Sequence, residues 1–409
     1  MTQVFAQVKN HATDQRRYDV DWLRTLAFAL LILYHVGMYY VLEWGWHVKS
    51  TQQSEWLQNL MILTNQWRMS LLFLISGIAL SLVLQQNKFS RWRLSGLRTN
   101  RLLVPLIFSM YVIVPPQLFY ELQQQHDLSM SYWAFLQEYW NIDTELAPFK
   151  QSPIGLLTWN HLWFLPYLWA YSLIVLVLFP LFNKLGKGLH RLNLPLWLVF
   201  GFLVIAMALI WVSLRESYPV THALLDDWYS HAKYFLAFVV GVLLPFIKGV
   251  WQQLIARRRV FLVIAILGYS WLMLDRHGFL DVSDELDKLL VIKLTHGLLL
   301  SLNYWAWILL VVAYAGRYLN FTNRFLTYAN QAILPWYIFH QTLIVVFAMY
   351  LLPFNLDAYL EAPLLILITC FGCFIGYEVV RRFVLLRWLF GLKVAFAKKL
   401  KTTTVTEHA

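Results

Sequence analysis

The chain has 409 residues, of which 59% are hydrophobic and only 13% are charged, and its mean hydropathy is positive. This composition excludes a soluble globular protein, because such domains carry about 25% charged residues. The net charge of +11 suits either a nucleic-acid partner or membrane anchoring, and the positions of the basic residues decide between these two uses.

Ten apolar segments approach the length needed to cross a hydrocarbon core, which is about 20 residues for about 30 Å. In chain order they are residues 20–41, 58–84, 102–120, 162–182, 195–214, 232–247, 260–274, 289–314, 325–352 and 363–386. The sequence therefore predicts an all-α polytopic membrane protein with about ten transmembrane helices. The first eighteen residues lack the apolar core and the cleavage site of a signal peptide, so we expect the first span to stay as a signal anchor.

The predicted organisation has three parts. Residues 1–18 form a cytoplasmic N-terminal segment, 19–390 the ten-helix transmembrane domain, and 391–409 a basic cytoplasmic tail, with a long outer loop at about 121–160. Most of the 33 Lys and Arg residues fall on one side of the membrane if the N-terminus is cytoplasmic. Basic loop residues favour the cytoplasmic side, so both termini are predicted there, and the net charge requires no nucleic-acid partner.

We single out eight ionisable residues within the predicted spans, because a polar group at lipid depth is costly and is therefore a functional candidate. They are Arg24, His35, Arg68, Lys233, Lys293, His296, His340 and Glu378. Arg24 and His35 are eleven positions apart, which is a rise of about 16 Å and three turns plus about 20°, so they share one helix face. The alternative is that Arg24 only anchors the helix at the interface and that His35 is a packed, hydrogen-bonded residue.

A second basic motif opens the third span. Arg98 and Arg101 are three positions apart in RTNR, so they share a face and present two guanidinium groups that suit phosphates at the inner surface. Ordinary inner-face anchoring explains the same residues. Together with His35, which can act as a base, the motif indicates a donor bound inside and an acceptor bound outside.

These motifs resemble the acyltransferase-3 family of integral membrane acyltransferases. The resemblance rests on Arg24 and His35 in YDVDWLRTLAFALLILYH and on Arg98 and Arg101 in RTNR. Supporting stretches are WHVKS (46–50), WRMSLLFLISG (67–77), HLWFL (161–165), YFLAFVVG (234–241), YIFHQ (337–341) and YEVVRRFVLLRWLFG (377–391). More narrowly, the chain is similar to members that succinylate osmoregulated periplasmic glucans.

The resemblance implies transfer of an acyl group from cytoplasmic acyl-CoA to a hydroxyl of a periplasmic or surface glycan, in the inner membrane of a bacterium. It makes His35 the catalytic residue and Arg24, Arg98 and Arg101 the contacts of the donor phosphates. The expected donor is succinyl-CoA, with acetyl-CoA as the alternative, and no metal is expected. Neither the acyl group nor a choice between direct transfer and an acyl-histidine intermediate follows from the sequence.

Four further residues are predicted to bind substrate: Arg68, His161, Trp163 and His340. Arg68 would hold the carboxylate of a succinyl group, with Lys233 or Lys293 as substitutes, unless it pairs with Glu378 or a backbone carbonyl. Trp163 offers a flat surface for a sugar, although aromatic belts occur at membrane interfaces anyway.

One other reading of the sequence remains open. A basic cleft that contains histidine also suits a proton-coupled transporter or flippase. Against this, no paired repeats are visible and the basic residues gather at one face.

The two cysteines, Cys370 and Cys373 in CFGC, lie within the last span, where we expect them to pack and not to act in redox chemistry.

Overall fold

The computed structural model describes residues 16–393 except 87, 281, 283–285, 287 and 288. This part folds into sixteen α-helices without a β-strand. They are α1 (Tyr18–Tyr40), α2 (Glu55–Asn65), α3 (Arg68–Gln85), α4 (Arg91–Val112), α5 (Pro115–Gln125), α6 (Tyr132–Trp140), α7 (Phe164–Val177), α8 (Phe179–Leu192), α9 (Leu196–Leu214), α10 (Trp228–Leu243), α11 (Val250–Ala256), α12 (Arg258–Arg276), α13 (Leu290–Tyr318), α14 (Arg324–Leu351), α15 (Ala358–Val380) and α16 (Val384–Leu389).

Nine helical segments of the described part are long and apolar enough to cross a membrane. They are Tyr18–Tyr40, Glu55–Gln85, Arg91–Gln125, Asn160–Val177, Leu196–Leu214, Trp228–Phe246, Leu290–Tyr318, Arg324–Phe354 and Ala358–Val380. The predicted all-α polytopic membrane fold is therefore confirmed. Most of the predicted N-terminal segment and of the basic tail lies outside the described residues, and the cytoplasmic position of the termini stays a prediction.

The predicted seventh span, residues 260–274, forms a helix but is not one of these nine segments. Charged residues lie at both ends of α12, namely Arg258, Arg259, Asp275 and Arg276. They leave an uncharged stretch shorter than the usual length of a span, which is about 20 residues. Since α12 packs along α13, and α13 packs against α9, α12 is still part of the bundle.

The predicted outer loop is partly helical. The helix that begins at Pro115 continues to Gln125, and α6 follows within the loop. Buried Phe135 and Tyr139 of α6 belong to one apolar cluster with Leu118 of α5, so the segment has a small core of its own. It closes over the end of the bundle where His35 lies, because residues 151–160 line the same cavity as His35.

Helices α3 and α10 are in close backbone contact, and two glycines permit it. A Cβ atom added to Gly77 would lie 2.1 Å from the carbonyl oxygen of Phe238, and one added to Gly241 would lie 2.1 Å from that of Leu74. Small residues allow such close backbone approach in membrane bundles. This contact fixes α3, which begins at Arg68, against α10, which carries Lys233.

Candidate functional site

A cavity of about 870 Å³ lies at the end of the bundle that carries His35. Its lining includes residues of α1, the segment after α1, α3, α5, the segment before α7 and α14, among them His35, Trp46, His47, Arg68, Glu121, Asn160, His161, Trp163, Tyr337 and Gln341. Three of the residues predicted to bind substrate, Arg68, His161 and Trp163, therefore share one space with the predicted catalytic residue. The fourth, His340, touches this group through His35.

His35 is held between two partners while one of its nitrogens stays open. Its Nδ1 lies 2.8 Å from Nε2 of His340, the two rings are nearly parallel, and Trp46 stacks on His35 at 6.5 Å between ring centroids. The Nε2 atom of His35 makes no hydrogen bond to a described residue. The side chain is partly exposed and lines the cavity, so an acceptor group can approach it.

His161 has both ring nitrogens occupied by protein groups. Its Nε2 lies 3.2 Å from the carbonyl oxygens of Tyr337 and Ile338, and its Nδ1 lies 3.3 Å from Nε2 of Gln117. The residue is 6% exposed, and the hydroxyl of Tyr337 donates to its backbone carbonyl at 2.5 Å. His161 therefore joins the start of α7 to α14 and offers no open nitrogen to a substrate.

The cavity contains a further histidine, His47, which is paired with a carboxylate and was not predicted as a site residue. His47 Nδ1 bonds to a carboxylate oxygen of Glu121, and His47 Nε2 lies 3.1 Å from Oδ1 of Asn160 and 2.9 Å from Nε2 of Gln341. The residues of this network come from four separate parts of the chain. WHVKS and YIFHQ were recognised as motifs, but no local spacing relates His47 to Glu121 or Gln341.

Arg68 is buried, and no carboxylate among the described residues forms an ion pair with it. It is 5% exposed, its guanidinium carbon lies 3.3 Å from the centroid of the Tyr34 ring, and its Nε and Nη1 atoms have no hydrogen-bond partner. The alternative partner Glu378 instead accepts from Arg381 at 3.0 Å and from Tyr328 at 2.9 Å. Arg68 is thus able to receive an anionic group in the cavity.

The two lysines predicted as substitutes for Arg68 differ in their surroundings. Lys293 forms an ion pair with Glu216, so its charge is already compensated. Lys233 lies over the rings of Tyr234 and Tyr304 and lines a second cavity of about 830 Å³. Tyr234 lines both cavities, which places Lys233 next to the His35 cavity but not in its lining.

Trp163 packs against the segment that precedes α10. Its ring stacks on His222 at 3.9 Å between centroids, and both residues line the His35 cavity. Burial lowers the pKa of His222 to about 4 although the neighbouring Asp227 opposes this shift, so His222 is neutral at pH 7. One face of the Trp163 ring is therefore covered by protein, which leaves less of it for a sugar.

The predicted arginine cluster forms at the other end of α1. Arg24 donates to Oδ1 of Asn330 at 2.6 Å and lies 3.5 Å from Asp21, while its Nε is buried without a partner. The charges of Arg24, Arg98 and Arg101 are close enough to repel one another. Arg98 and Arg101 have no described hydrogen-bond or ion-pair partner, so the three cations together suit an anion with several charges.

Two tryptophans fix the position of the RTNR motif. The two residues between the arginines accept hydrogen bonds from indole N–H groups. Trp169 of α7 donates to Thr99 at 3.0 Å, and Trp388 of α16 donates to Asn100 at 2.9 Å. The motif is thus held from both sides. Since α1 is one continuous helix from Tyr18 to Tyr40, the arginine cluster and His35 are separated by about 16 Å along its axis.

Among the described residues, no group of three or more His, Cys, Asp or Glu side chains is arranged to hold a metal ion. The histidines of the cavity bond to one another, to amides, to backbone carbonyls and, in the case of His47, to the carboxylate of Glu121. The cavity presents imidazole, guanidinium and carboxylate groups.

Comparison with known proteins gives one family and one kind of relative. A family model described as an acyltransferase domain, of the acyltransferase-3 type, matches residues 17–378. Similar curated proteins are the glucans biosynthesis protein C of Shigella dysenteriae and that of Escherichia coli K12, each 25% identical over 400 residues that cover 94% of this chain and 96% of the relative. No solved structure matches the chain.

Proposed function

The chain belongs to the acyltransferase-3 family and is a multi-pass membrane enzyme that transfers acyl groups, and we propose that it carries an acyl group from cytoplasmic acyl-CoA to a glycan hydroxyl on the opposite side of the bacterial inner membrane. The observation that carries this proposal is the open Nε2 of His35 in a cavity. Arg24, which belongs to the arginine cluster, lies near the opposite end of the same helix. The names of the relatives, which refer to glucans, support a glucan as acceptor.

The donor phosphates bind to Arg24, Arg98 and Arg101. Support comes from the absence of a described partner for Arg98 and Arg101 and from the unpartnered Nε of Arg24. Guanidinium groups bind phosphate through paired N–H donors. The pantetheine arm then extends along the face of α1 toward His35, over a distance of about 16 Å.

Neutral His35 acts as the general base of a direct transfer. Its Nε2 takes the proton of the glycan hydroxyl while that oxygen forms a bond to the thioester carbonyl carbon. The C–S bond then breaks with its electron pair on sulfur, and the imidazolium returns the proton to the leaving thiolate. The products are an O-acyl ester of the glycan and free CoA, and no covalent histidine intermediate is needed.

The acyl group that fits the cavity is succinyl. A succinyl group brings its own carboxylate, and Arg68, whose buried Nε and Nη1 atoms have no partner, lines the same cavity as His35. A charged group at this depth is costly unless it is paired, so the donor carboxylate would supply the missing partner. Acetyl-CoA lacks that carboxylate and would leave Arg68 unpaired.

The proposal is tested by mass spectrometry of periplasmic and surface glycans from cells with the wild-type gene, a deletion or His35→Ala. We expect a succinyl ester in the wild type and its loss in both other strains. His35→Ala protein must be present in the membrane at the wild-type level, as measured by immunoblot. An acyl substituent at the wild-type level in the His35→Ala strain would overturn the catalytic assignment.

A further inference from the structure

His340 is buried between the catalytic cavity and the backbone of its own helix. It is 1% exposed, its Nδ1 lies 2.8 Å from the carbonyl oxygen of Tyr337, and its Nε2 lies 2.8 Å from Nδ1 of His35. Both ring nitrogens are therefore occupied by protein groups. A direct contact with substrate, as expected from the sequence, would require breaking one of these bonds.

The carbonyl oxygen of Tyr337 determines where the hydrogens lie. A carbonyl oxygen can only accept, so Nδ1 of neutral His340 must carry its proton. Nε2 of His340 is then an acceptor, and the hydrogen between the two rings must belong to Nδ1 of His35. Neutral His35 carries one ring hydrogen, so its Nε2 has the free electron pair. This is the nitrogen that has no described partner and faces the cavity.

We propose that His340 is a positioning residue that holds His35 in the Nδ1–H tautomer and so presents the basic Nε2 to the acceptor hydroxyl. This inference rests on the proposed function for its catalytic meaning, but the tautomer itself follows from the hydrogen bonds alone. In the other tautomer, the nitrogen that faces the cavity would carry a hydrogen and could not accept a proton. The ring of His35 would also lose its bond to α14.

The surroundings of His340 favour a fixed orientation. His161 packs edge-on against it at 5.2 Å between centroids, and Tyr337 stacks on it at 5.8 Å. The ring of Trp46 also lies nearly parallel to that of His35, at 6.5 Å between centroids. When His35 takes the proton of the acceptor, the bond from its Nδ1–H to His340 strengthens, because hydrogen bonds that involve a charged group are the stronger ones.

Two substitutions of similar size separate this role from packing. His340→Gln keeps an oxygen that can accept from Nδ1 of His35, whereas His340→Leu fills the space without an acceptor. The purified proteins in lipid vesicles are compared for kcat and KM with succinyl-CoA and a glucan oligosaccharide. In addition, ¹⁵N NMR of histidine-labelled protein reports which nitrogen of His35 carries the hydrogen, with the His35 signals identified by their loss in His35→Gln.

We expect kcat of His340→Leu to fall by about 10²-fold or more, with KM of both substrates within about twofold of the wild type. His340→Gln should keep kcat within about tenfold of the wild type. The NMR signal of His35 should indicate Nδ1–H in the wild type and in His340→Gln, and a mixture of tautomers in His340→Leu.

Three results would overturn the inference. They are an Nε2–H tautomer of His35 in the wild type, a rise in KM of His340→Leu at unchanged kcat, and equal loss of kcat in the Gln and Leu variants. Absence of acyl transfer by the wild type would instead refute the proposed function. In that case the NMR measurement still decides the tautomer, because it needs no substrate.

Discussion

Among the described residues, Arg68 is the one arginine or lysine whose side chain is buried. Arg24 has Asn330 and Asp21 as partners, and Lys293 has Glu216. Arg68 lies over the Tyr34 ring, and its Nε and Nη1 atoms have no hydrogen-bond partner. A cation–π contact is worth about 2 kcal/mol when desolvated, which is less than the cost of an unpaired charge, so a bound anion would stabilise Arg68.

Replacing Arg68 by Gln should therefore change the choice of donor. We expect KM for succinyl-CoA to rise about 10- to 100-fold, since a hydrogen bond to a charged group contributes about 1.5–3 kcal/mol. KM for acetyl-CoA should stay within about twofold. Thiol release by the purified protein with each donor measures both values. Arg381→Gln, which removes an exposed arginine paired with Glu378, is the control, and an equal loss with both donors would refute this role.

A separate prediction concerns the arginine cluster of Arg24, Arg98 and Arg101. Arg98→Gln and Arg101→Gln should each raise KM for succinyl-CoA by about tenfold or more, because each removes a charged hydrogen-bond donor to phosphate. Succinyl-pantetheine, which has no phosphates, should react equally well with wild type and variants. Arg93→Gln is a matched control on the same helix, where the arginine lies over Phe89. A similar KM increase with succinyl-pantetheine would show that the arginines do not bind the phosphates.

At the scale of helices, the position of Arg68 depends on the contact between α3 and α10. The backbones touch at Gly77 and Gly241, where an added Cβ would lie 2.1 Å from a carbonyl oxygen of the opposite helix. Such a contact cannot be relieved by rotation of a side chain. A methyl group there must separate the helices, and the first residue of α3, Arg68, would move with them.

We expect Gly241→Ala to destabilise the protein by about 1–3 kcal/mol, as overpacking does in other cores. The melting temperature of the purified protein in detergent measures this effect. Gly201→Ala is the matched control, because Gly201 also lies within a helix but has no atom within 4 Å of an added Cβ. Equal melting temperatures of the two variants would contradict the close contact.

At the scale of the whole molecule, the sequence predicted what depends on local spacing. Arg24 and His35 lie on one helix, and so do Arg98 and Arg101, so helical geometry was enough to group each pair. The bond between His35 and His340 joins residues 305 positions apart, and that between His47 and Glu121 joins α5 to a connecting segment. Such contacts depend on how the helices pack, which periodicity in one sequence does not determine.

The number of membrane spans is likewise not fully determined by local sequence patterns. Long apolar runs such as Leu196–Leu214 were recognised directly, since their composition alone marks them as helices at lipid depth. For α12 the apolar stretch is short and is flanked by charges at both ends, so its place in the bundle depends on its contacts with α13. The outer segment was expected as a loop, yet some of its aromatic residues, such as Phe135 and Tyr139, form a small core with α5.

In the proposed reaction, the acyl group crosses the membrane between the arginine cluster and His35. The most direct test uses lipid vesicles with the protein in one known orientation, succinyl-CoA on the side of Arg98 and a glucan oligosaccharide on the side of His35. We predict that free CoA appears on the donor side and succinylated glucan on the acceptor side, and that His35→Ala abolishes both products. Formation of succinylated glucan by His35→Ala at the wild-type rate would contradict this proposal. So would a wild-type protein that forms succinylated glucan only when both substrates are on the same side of the membrane.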